Sequence, residues 1–221
     1  MGVVDRKADI NDEHVRSGYV NAPFHLAKDY LAQEKYKIIT STALAELRIL
    51  KGMPHPVCIE GTRTKTEVVM IPQKGRFLSD YSLIMEEPLN AVCCHMNGAE
   101  FGILPEHVEK YLGSRNVIIP EKQTSIPFNR FGEDPITIFL FKNSAKKYGE
   151  LLENILGKGE TPLKFDDMEK VNAGKMPYTN QLWIAGIIPQ TKSCIEGYGR
   201  ILNCADAVRG ICYKKYKFIK S

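Results

Sequence analysis

The segment Pro88–Gly113, PLNAVCCHMNGAEFGILPEHVEKYLG, indicates the fold class and holds the first candidate site. Its apolar start predicts a buried strand that leads into Cys93 and His95, and an Asn-Gly pair then interrupts the chain. A short helix follows from Pro105. Thiols and an imidazole at the end of a buried strand lie where α/β and α+β proteins often place chemistry.

Strand and helix patterns extend outward from this segment in both directions. Strands cluster in the first half and alternate with helices in the second, which predicts an α+β fold with a mixed sheet and several packed helices. The predicted helices cover 24–34, 106–112, 145–156, 166–171 and 200–209. A further helix is predicted across the apolar positions at 43–50, with N-cap candidates at 40–42, Thr40 among them, and Gly52 as its stop. The predicted strands cover 36–39, 57–60, 67–72, 82–85, 90–95, 116–119, 135–141, 182–188 and 211–219.

The order of these elements predicts either one compact domain or two closely packed halves. Residues 1–22 are polar and weakly patterned, which indicates an N-terminal arm. An α+β half at 23–120 and an α/β half at 135–221 would be joined by a loop at 121–134, which is polar and carries Pro and Gly.

Composition excludes several classes of protein. The 221 residues are 43% hydrophobic and 25% charged, as in ordinary globular proteins, and the net charge of +4 is too small to imply a nucleic-acid or membrane partner. No apolar run approaches the ~20 residues of a membrane-spanning helix, and the N-terminus lacks a signal-peptide core. We therefore expect a cytoplasmic protein with reduced cysteines. The sequence identifies neither a cofactor nor an oligomeric state.

Cys93 and His95 are the first candidate catalytic residues. Side chains alternate along a strand, so these two should share a face on which the imidazole can lower the thiol pKa and create a nucleophile. His107, on the adjoining helix, is a second possible partner. The alternative is a buried strand on which the cysteines only pack, because no catalytic cysteine signature surrounds them.

The same segment also admits a zinc site. His55 and Cys58 have a ligand-like spacing, and Cys93, Cys94 and His95 could complete a tetrahedral set. However, strand alternation would point adjacent ligands in opposite directions, so the sequence favours no metal here.

The connection from Pro189 to Arg200 is a candidate anion site. It joins a predicted strand to a predicted helix, and such a junction offers backbone N–H groups and a positive helix end to a phosphate. The candidate ligand-binding residues are Thr191, Lys192, Ser193, Gly197, Gly199 and Arg200. The pattern matches neither a Walker A nor a complete dinucleotide fingerprint, and a flexible loop with solvated charges is the alternative.

Lysines alternate with aromatic residues at the C-terminus. Such a strand could bind nucleic acid through Lys214, Lys215, Tyr216 and Lys217. Arg63 and Lys65, in the loop of a hairpin predicted at 57–72, could extend that surface. The alternative is an edge strand on which lysines prevent aggregation.

These observations lead to three hypotheses. The first is a small cytosolic enzyme or ligand-binding protein that acts on a phosphorylated or anionic small molecule, with a transferase or hydrolase as the broadest reaction class. The second is a nucleic-acid-binding or virus-encoded interaction protein that uses the C-terminus. The third is a structural or assembly protein without a ligand.

Overall fold

Strand β4, Thr62–Ile71, lies in the middle of a large mixed β-sheet and pairs with three other strands. It pairs antiparallel with β5, Gly75–Ser79, through a three-residue turn, and antiparallel with β11, Tyr178–Ile184. A parallel bridge connects it to β13, Asp206–Tyr213. The computed structural model describes residues 5–12, 15–87, 91, 93–97, 100–113, 115–174, 176–197 and 206–214.

The remaining strands extend the sheet on both sides of β4. They are β1 Asp5–Asn11, β2 Val15–Ala22, β3 Lys37–Ile38, β6 Cys93–Asn97, β7 Glu100–Ile103, β8 Asn116–Ile118, β9 Ser125–Pro127, β10 Glu160–Phe165 and β12 Ile195–Gly197. The main order is β1-β2-β13-β4-β11-β12-β10-β9. Beside it, β3 pairs with β13, β8 with β5, β7 with β11 and β6 with β7.

The helices are short and lie between the strands. They are α1 Phe24–Gln33, α2 Ser41–Lys51, α3 Pro56–Ile59, α4 Leu83–Glu86, α5 Val108–Leu112, α6 Pro135–Phe141, α7 Ala145–Leu156 and α8 Met168–Gly174. Thr40 caps α2 by accepting the Ala43 N–H at 3.1 Å, and Gly52 ends that helix at a positive φ. The predicted α+β class, with a mixed sheet and several packed helices, is confirmed.

Two hydrophobic cores lie on opposite faces of the sheet. Along β4, Val68 and Met70 belong to one core, whereas Val69 and Ile71 belong to the other, as strand alternation requires. The first core also contains residues of α2, α6 and α7, and the second contains residues of α1, α4 and α5. Residues from both predicted halves of the chain contribute to each core.

The N-terminal residues are part of the sheet. Within the predicted arm at 1–22, residues 5–11 and 15–22 form β1 and β2, which differs from the expectation of a loosely packed lead-in. Val15 and Val20 are buried there, each in one of the two hydrophobic cores, and β2 pairs with both β1 and β13. Since β13 comes from the predicted C-terminal half, the two halves share one sheet. The predicted connecting loop at 121–134 likewise contains β9.

The prediction of a strand at 135–141 is wrong, because this segment forms α6. Asp134 accepts the Ile136 N–H at 2.9 Å, and Pro135 occupies the first helical turn, where its missing N–H costs nothing. An apolar run of seven residues does not distinguish a buried strand from a buried helix.

The predicted hairpin at 57–72 is also wrong. Residues 56–59 form α3, and the predicted loop residues Arg63 and Lys65 lie within β4. The actual hairpin joins β4 to β5. The predicted strand at 82–85 overlaps α4 instead.

Two C-terminal predictions need correction. The strand predicted at 182–188 both starts and ends earlier, since β11 covers Tyr178–Ile184 and residues 189–193 form a turn. The helix predicted at 200–209 is wrong over residues 206–209, because these belong to strand β13. Residues 198–205 and 215–221 lie outside the described chain. Within the described ranges, no helix is both long and apolar enough to cross a membrane.

Candidate ligand-binding site

Cys93 and His95 lie on β6, at the edge of the sheet beyond β7. A bulge separates them, so that Cys93 faces Ile103 and His95 faces Gly102 in the pairing with β7. Simple alternation, which predicted a shared face, therefore does not apply across this bulge. Cys93 is half-buried against the second core, and the His95 side chain lies outside the described part of the structure. The catalytic role of this pair stays a prediction.

The residues weighed as zinc ligands have structural contacts. His55 caps α3 by accepting the Val57 N–H at Nδ1 over 3.2 Å, and Cys58 is fully buried with its thiol directed at the Arg48 carbonyl. Burial raises the pKa of the Cys58 thiol, which disfavours the thiolate that zinc requires. Among the described side chains, no group of His, Cys, Asp and Glu is arranged to hold a metal.

The turn at 191–194 uses its backbone donors internally. Thr191 and Lys192 donate their N–H groups to the Ile188 carbonyl, Ser193 donates to Gly186, and Cys194 donates to Thr191. The Thr191 hydroxyl also donates to Gly186, at 2.6 Å. These donors are therefore not directed at a ligand in this arrangement.

Ser193 and Gly197 occupy buried positions. The Ser193 hydroxyl lies 2.9 Å from that of Tyr148 and near the Arg48 guanidinium, and it donates to the Ala185 carbonyl. Gly197 is buried in β12, where a Cβ atom would lie 2.4 Å from Val68. Lys192 has a positive φ of 48° on the rim of this turn. Two further predicted ligand-binding residues, Gly199 and Arg200, lie outside the described residues.

The predicted nucleic-acid surface is only partly visible. Lys214 donates from Nζ to the Asp12 carbonyl, while Lys215, Tyr216 and Lys217 lie outside the described residues. Arg63 cannot extend that surface, since it is fully buried and donates to the Gln181 carbonyl at 2.6 Å. Lys65, by contrast, reaches a groove beside the C-terminal strand.

This lysine groove is an open cavity of about 490 Å³ between α1, β3, the start of α2 and α4. Its lining consists of Lys28, Ala32, Tyr36, Lys37, Ile38, Thr40, Ala43, Lys65, Met85, Ile211 and Tyr213. Apolar and aromatic side chains cover most of its wall. Every ionisable side chain in the lining other than the two tyrosines is a lysine.

The three groove lysines differ in their contacts with the rest of the protein. Lys28 donates to the Ile84 carbonyl, and Lys65 lies 3.5 Å from the exposed carboxylate of Glu86. Lys37 is exposed on β3, with no ion pair among the described residues. Because an exposed pair such as Lys65–Glu86 contributes only about 0–1 kcal/mol, a ligand anion can displace it at small cost.

The groove has two aromatic walls. Tyr36 packs over Gly210 of β13, where a Cβ atom would lie 2.7 Å from it, and the Arg16 guanidinium lies 5.4 Å from its ring centroid. Tyr213 is 64% exposed. Partial burial and the nearby Glu46 carboxylate raise the pKa of Tyr213, so its phenol stays neutral and can donate at neutral pH.

A second cavity, the hydroxyl pocket, adjoins the groove. It measures about 140 Å³ and is lined by Thr40, Ser41, Thr42, Lys65, Thr66, Asp80, Phe139, Leu140 and Lys142. Thr40 and Lys65 line both cavities, so they form a shared wall. Within this lining, the Lys142 ammonium lies 4.5 Å from the Phe139 ring centroid.

Sequence patterns did not reveal this site, because its residues are dispersed. The groove lysines come from α1, β3 and β4, which are separate segments of the sequence. The only sequence signal was the expectation that Lys65 and the C-terminal strand share a surface, and both Lys65 and Tyr213 line the groove.

Comparisons with known proteins identify a fold but no family. No family model matches the chain, and no curated protein matches it significantly. A solved structure from work on the accommodation of massive sequence variation in Nanoarchaeota by the C-type lectin fold is similar over 93% of this chain and 100% of that chain. The TM-score is 0.64 and the sequence identity is 14%. This likeness concerns the fold alone, and it places the chain among structures of the C-type lectin fold.

Proposed function

We propose that this protein binds an anionic small molecule in the lysine groove. The observation that carries this proposal is the composition of the lining, which includes Lys28, Lys37 and Lys65 but no Asp or Glu. Cations that surround a partly apolar cavity attract an anion more strongly than they would in bulk water, because the effective dielectric is lower there. The ligand therefore combines a negative group with an apolar or aromatic body.

The lining supports binding more than catalysis. It contains no carboxylate, imidazole or thiol, which are the commonest general bases and nucleophiles. The thiol of Cys93 lies in β6 and is not part of the groove. Of the hypotheses drawn from the sequence, a ligand-binding protein for an anionic small molecule is thus the best supported.

Calorimetric titration with phenyl phosphate and inorganic pyrophosphate tests this proposal. Lys37→Met and Lys65→Met should each weaken phenyl phosphate binding by about tenfold or more, since a charge-assisted hydrogen bond contributes about 1.5–3 kcal/mol. Lys158→Met is the matched control, because Lys158 is exposed and lines neither cavity. If both groove variants bind phenyl phosphate as tightly as the Lys158→Met control, or if the native protein does not bind it, the groove is not the anion site.

The similar solved structure supports a second candidate, a scaffold whose binding surface tolerates substitution. In this chain Lys37 and Tyr213 are exposed, and neither belongs to a hydrophobic core. If these two side chains determine which ligand binds and do not contribute to stability, randomising both positions should change ligand preference. The melting temperature should then stay within a few degrees of the native value. A library in which most members unfold would exclude this role.

A further inference from the structure

The shared wall between the two cavities suggests a longer ligand than a simple anion. We infer that the lysine groove and the hydroxyl pocket together bind a nucleoside joined through phosphate to a second sugar. The nucleoside lies in the groove, the phosphate contacts Lys65 and Thr40, and the second sugar enters the hydroxyl pocket. This inference rests on the proposed anion-binding function and specifies its ligand.

The groove suits a nucleoside because it is large and has flat aromatic walls. Tyr36 and Tyr213 line it together with Ile38 and Met85, so a base can stack on a ring while its other surface meets apolar side chains. The Tyr213 ring is largely exposed without a ligand, which leaves its face available for stacking. Such stacking depends little on base identity.

The shared wall suits a phosphate. Lys65 supplies a cation, and the adjacent α2 begins here with backbone N–H groups that have no partner within the helix. Thr40 accepts the Ala43 N–H, so its own hydroxyl hydrogen remains able to donate toward the shared wall. A cation, a hydroxyl and a helix N-terminus thus converge between the two cavities.

The hydroxyl pocket suits a sugar better than a further phosphate. The Thr42 hydroxyl donates to the Leu140 carbonyl and the Thr66 hydroxyl bonds that of Ser41, so both oxygens can still accept from a ligand, and the exposed Asp80 adds a carboxylate. Asp80 accepts hydrogen bonds from sugar hydroxyls and Lys142 donates to sugar oxygens, so the pocket offers the mixed acceptors and donors that a sugar uses, whereas a phosphate uses only donors. Since the pocket is about 140 Å³ against about 490 Å³ for the groove, the smaller group of the ligand belongs here.

Titration calorimetry on the full chain with uridine, UDP, UDP-glucose and the dinucleotide UpU tests this arrangement. UDP-glucose should bind at least about fivefold more tightly than UDP because it adds the sugar, and UDP more tightly than uridine because it adds the phosphates. Tyr213→Ala should weaken all four by about tenfold. Lys65→Met should weaken the three phosphate-containing ligands and leave uridine unchanged.

Asp80→Asn isolates the sugar contact. It should reduce UDP-glucose affinity to that of UDP without weakening UDP, whereas Asp29→Asn, at an exposed position outside both cavities, should affect neither. UpU binding that exceeds UDP-glucose binding and increases with strand length would identify a single-stranded nucleic acid as the source of the same chemistry. If phenyl phosphate binds but UDP-glucose is no tighter than UDP, the anion site stands and this inference fails.

Discussion

Arg48 is a fully buried cation whose contacts are all neutral within the described residues. Its guanidinium donates to the carbonyls of Val57 at 2.9 Å and Glu60 at 2.8 Å, and to the Tyr148 hydroxyl at 2.6 Å. It thereby connects α2, α3 and α7 with the turn that contains Ser193. A buried charge without a carboxylate is tolerated here because nearly every N–H has an acceptor.

We predict that Arg48→Ala lowers the free energy of unfolding by about 2–4 kcal/mol, since it leaves buried carbonyls without donors and creates a cavity. Urea denaturation monitored by circular dichroism measures this change. Arg130→Ala is the control, because Arg130 is exposed and pairs with Glu133 on the surface, where such a pair contributes about 0–1 kcal/mol. Similar losses in the two variants would contradict the structural role assigned to Arg48.

Glu67 is a fully buried carboxyl that accepts hydrogen bonds from several neighbours. Tyr111 and Gln181 donate at 2.8 Å, Thr179 donates at 3.1 Å, and Ser82 donates as well. Burial nevertheless raises the pKa of Glu67, because desolvation of the carboxylate outweighs these bonds.

This raised pKa predicts a pH dependence of stability. The folded state holds the Glu67 proton more tightly than the unfolded chain, so its contribution is complete below the unfolded pKa of about 4.3 and is lost as pH rises through the folded pKa. The native protein should therefore lose stability relative to Glu67→Gln as pH rises from 4 to 8. Urea unfolding of both proteins at each pH gives the difference between their free energies of unfolding. The contributions of the other titrating groups are common to both proteins and cancel in this difference. A difference that is flat with pH would mean that the pKa is not raised.

At the scale of elements, the sequence predicted those helices whose amphipathic pattern or caps were distinct. Helix α7 follows its apolar stripe, and α2 begins and ends at its predicted Thr and Gly caps. Predictions failed where the segment was short and apolar, as in α3 and α6. Both of those helices follow a side-chain cap and begin with a proline, at His55-Pro56 and Asp134-Pro135. This local signal identifies a helix where hydrophobic periodicity does not.

We predict that Asp134→Ala destabilises the protein by about 1–2 kcal/mol, because it removes the cap of α6. Asp134 also accepts a hydrogen bond from Gln123 Nε2 at 2.8 Å, which adds to the loss. Asp134→Asn should retain most of the stability, since its side-chain oxygen can still cap the Ile136 N–H. Thermal and urea unfolding distinguish the two variants, and an equal loss in both would show that charge rather than capping matters at this position.

At the scale of the molecule, the sequence predicted the fold class but not the position of the groove. Strands distant in sequence meet around β4, and that arrangement depends on long-range pairing that local patterns do not encode. The same reason explains the N-terminal correction. The polar residues of β1 and β2 predict an arm, whereas in the structure β2 pairs with β13, a strand from the other end of the chain.

An ion pair ties the N-terminal hairpin to the C-terminal strand. The buried Arg209 guanidinium contacts both carboxylate oxygens of Asp9 at 2.6 Å, with Ser17 and Glu60 at 3.3 and 3.4 Å. Its charge also lies 5.6 Å from the ring centroid of Tyr19. Removing Asp9 takes away the closer, buried carboxylate and leaves only the partly exposed Glu60 to compensate the buried Arg209 charge.

Asp9→Asn should therefore lower the free energy of unfolding by about 3 kcal/mol while unfolding remains a single transition, because β1 and β2 belong to the same cooperative sheet as β13. Asp29→Asn, at an exposed position on α1, should change stability by less than about 0.5 kcal/mol. Hydrogen exchange provides a second measurement, since the amides of β2 should be protected as strongly as those of β13. If β2 exchanges rapidly in the native protein and Asp9→Asn has no effect, the N-terminal residues are an arm, as their sequence alone suggests.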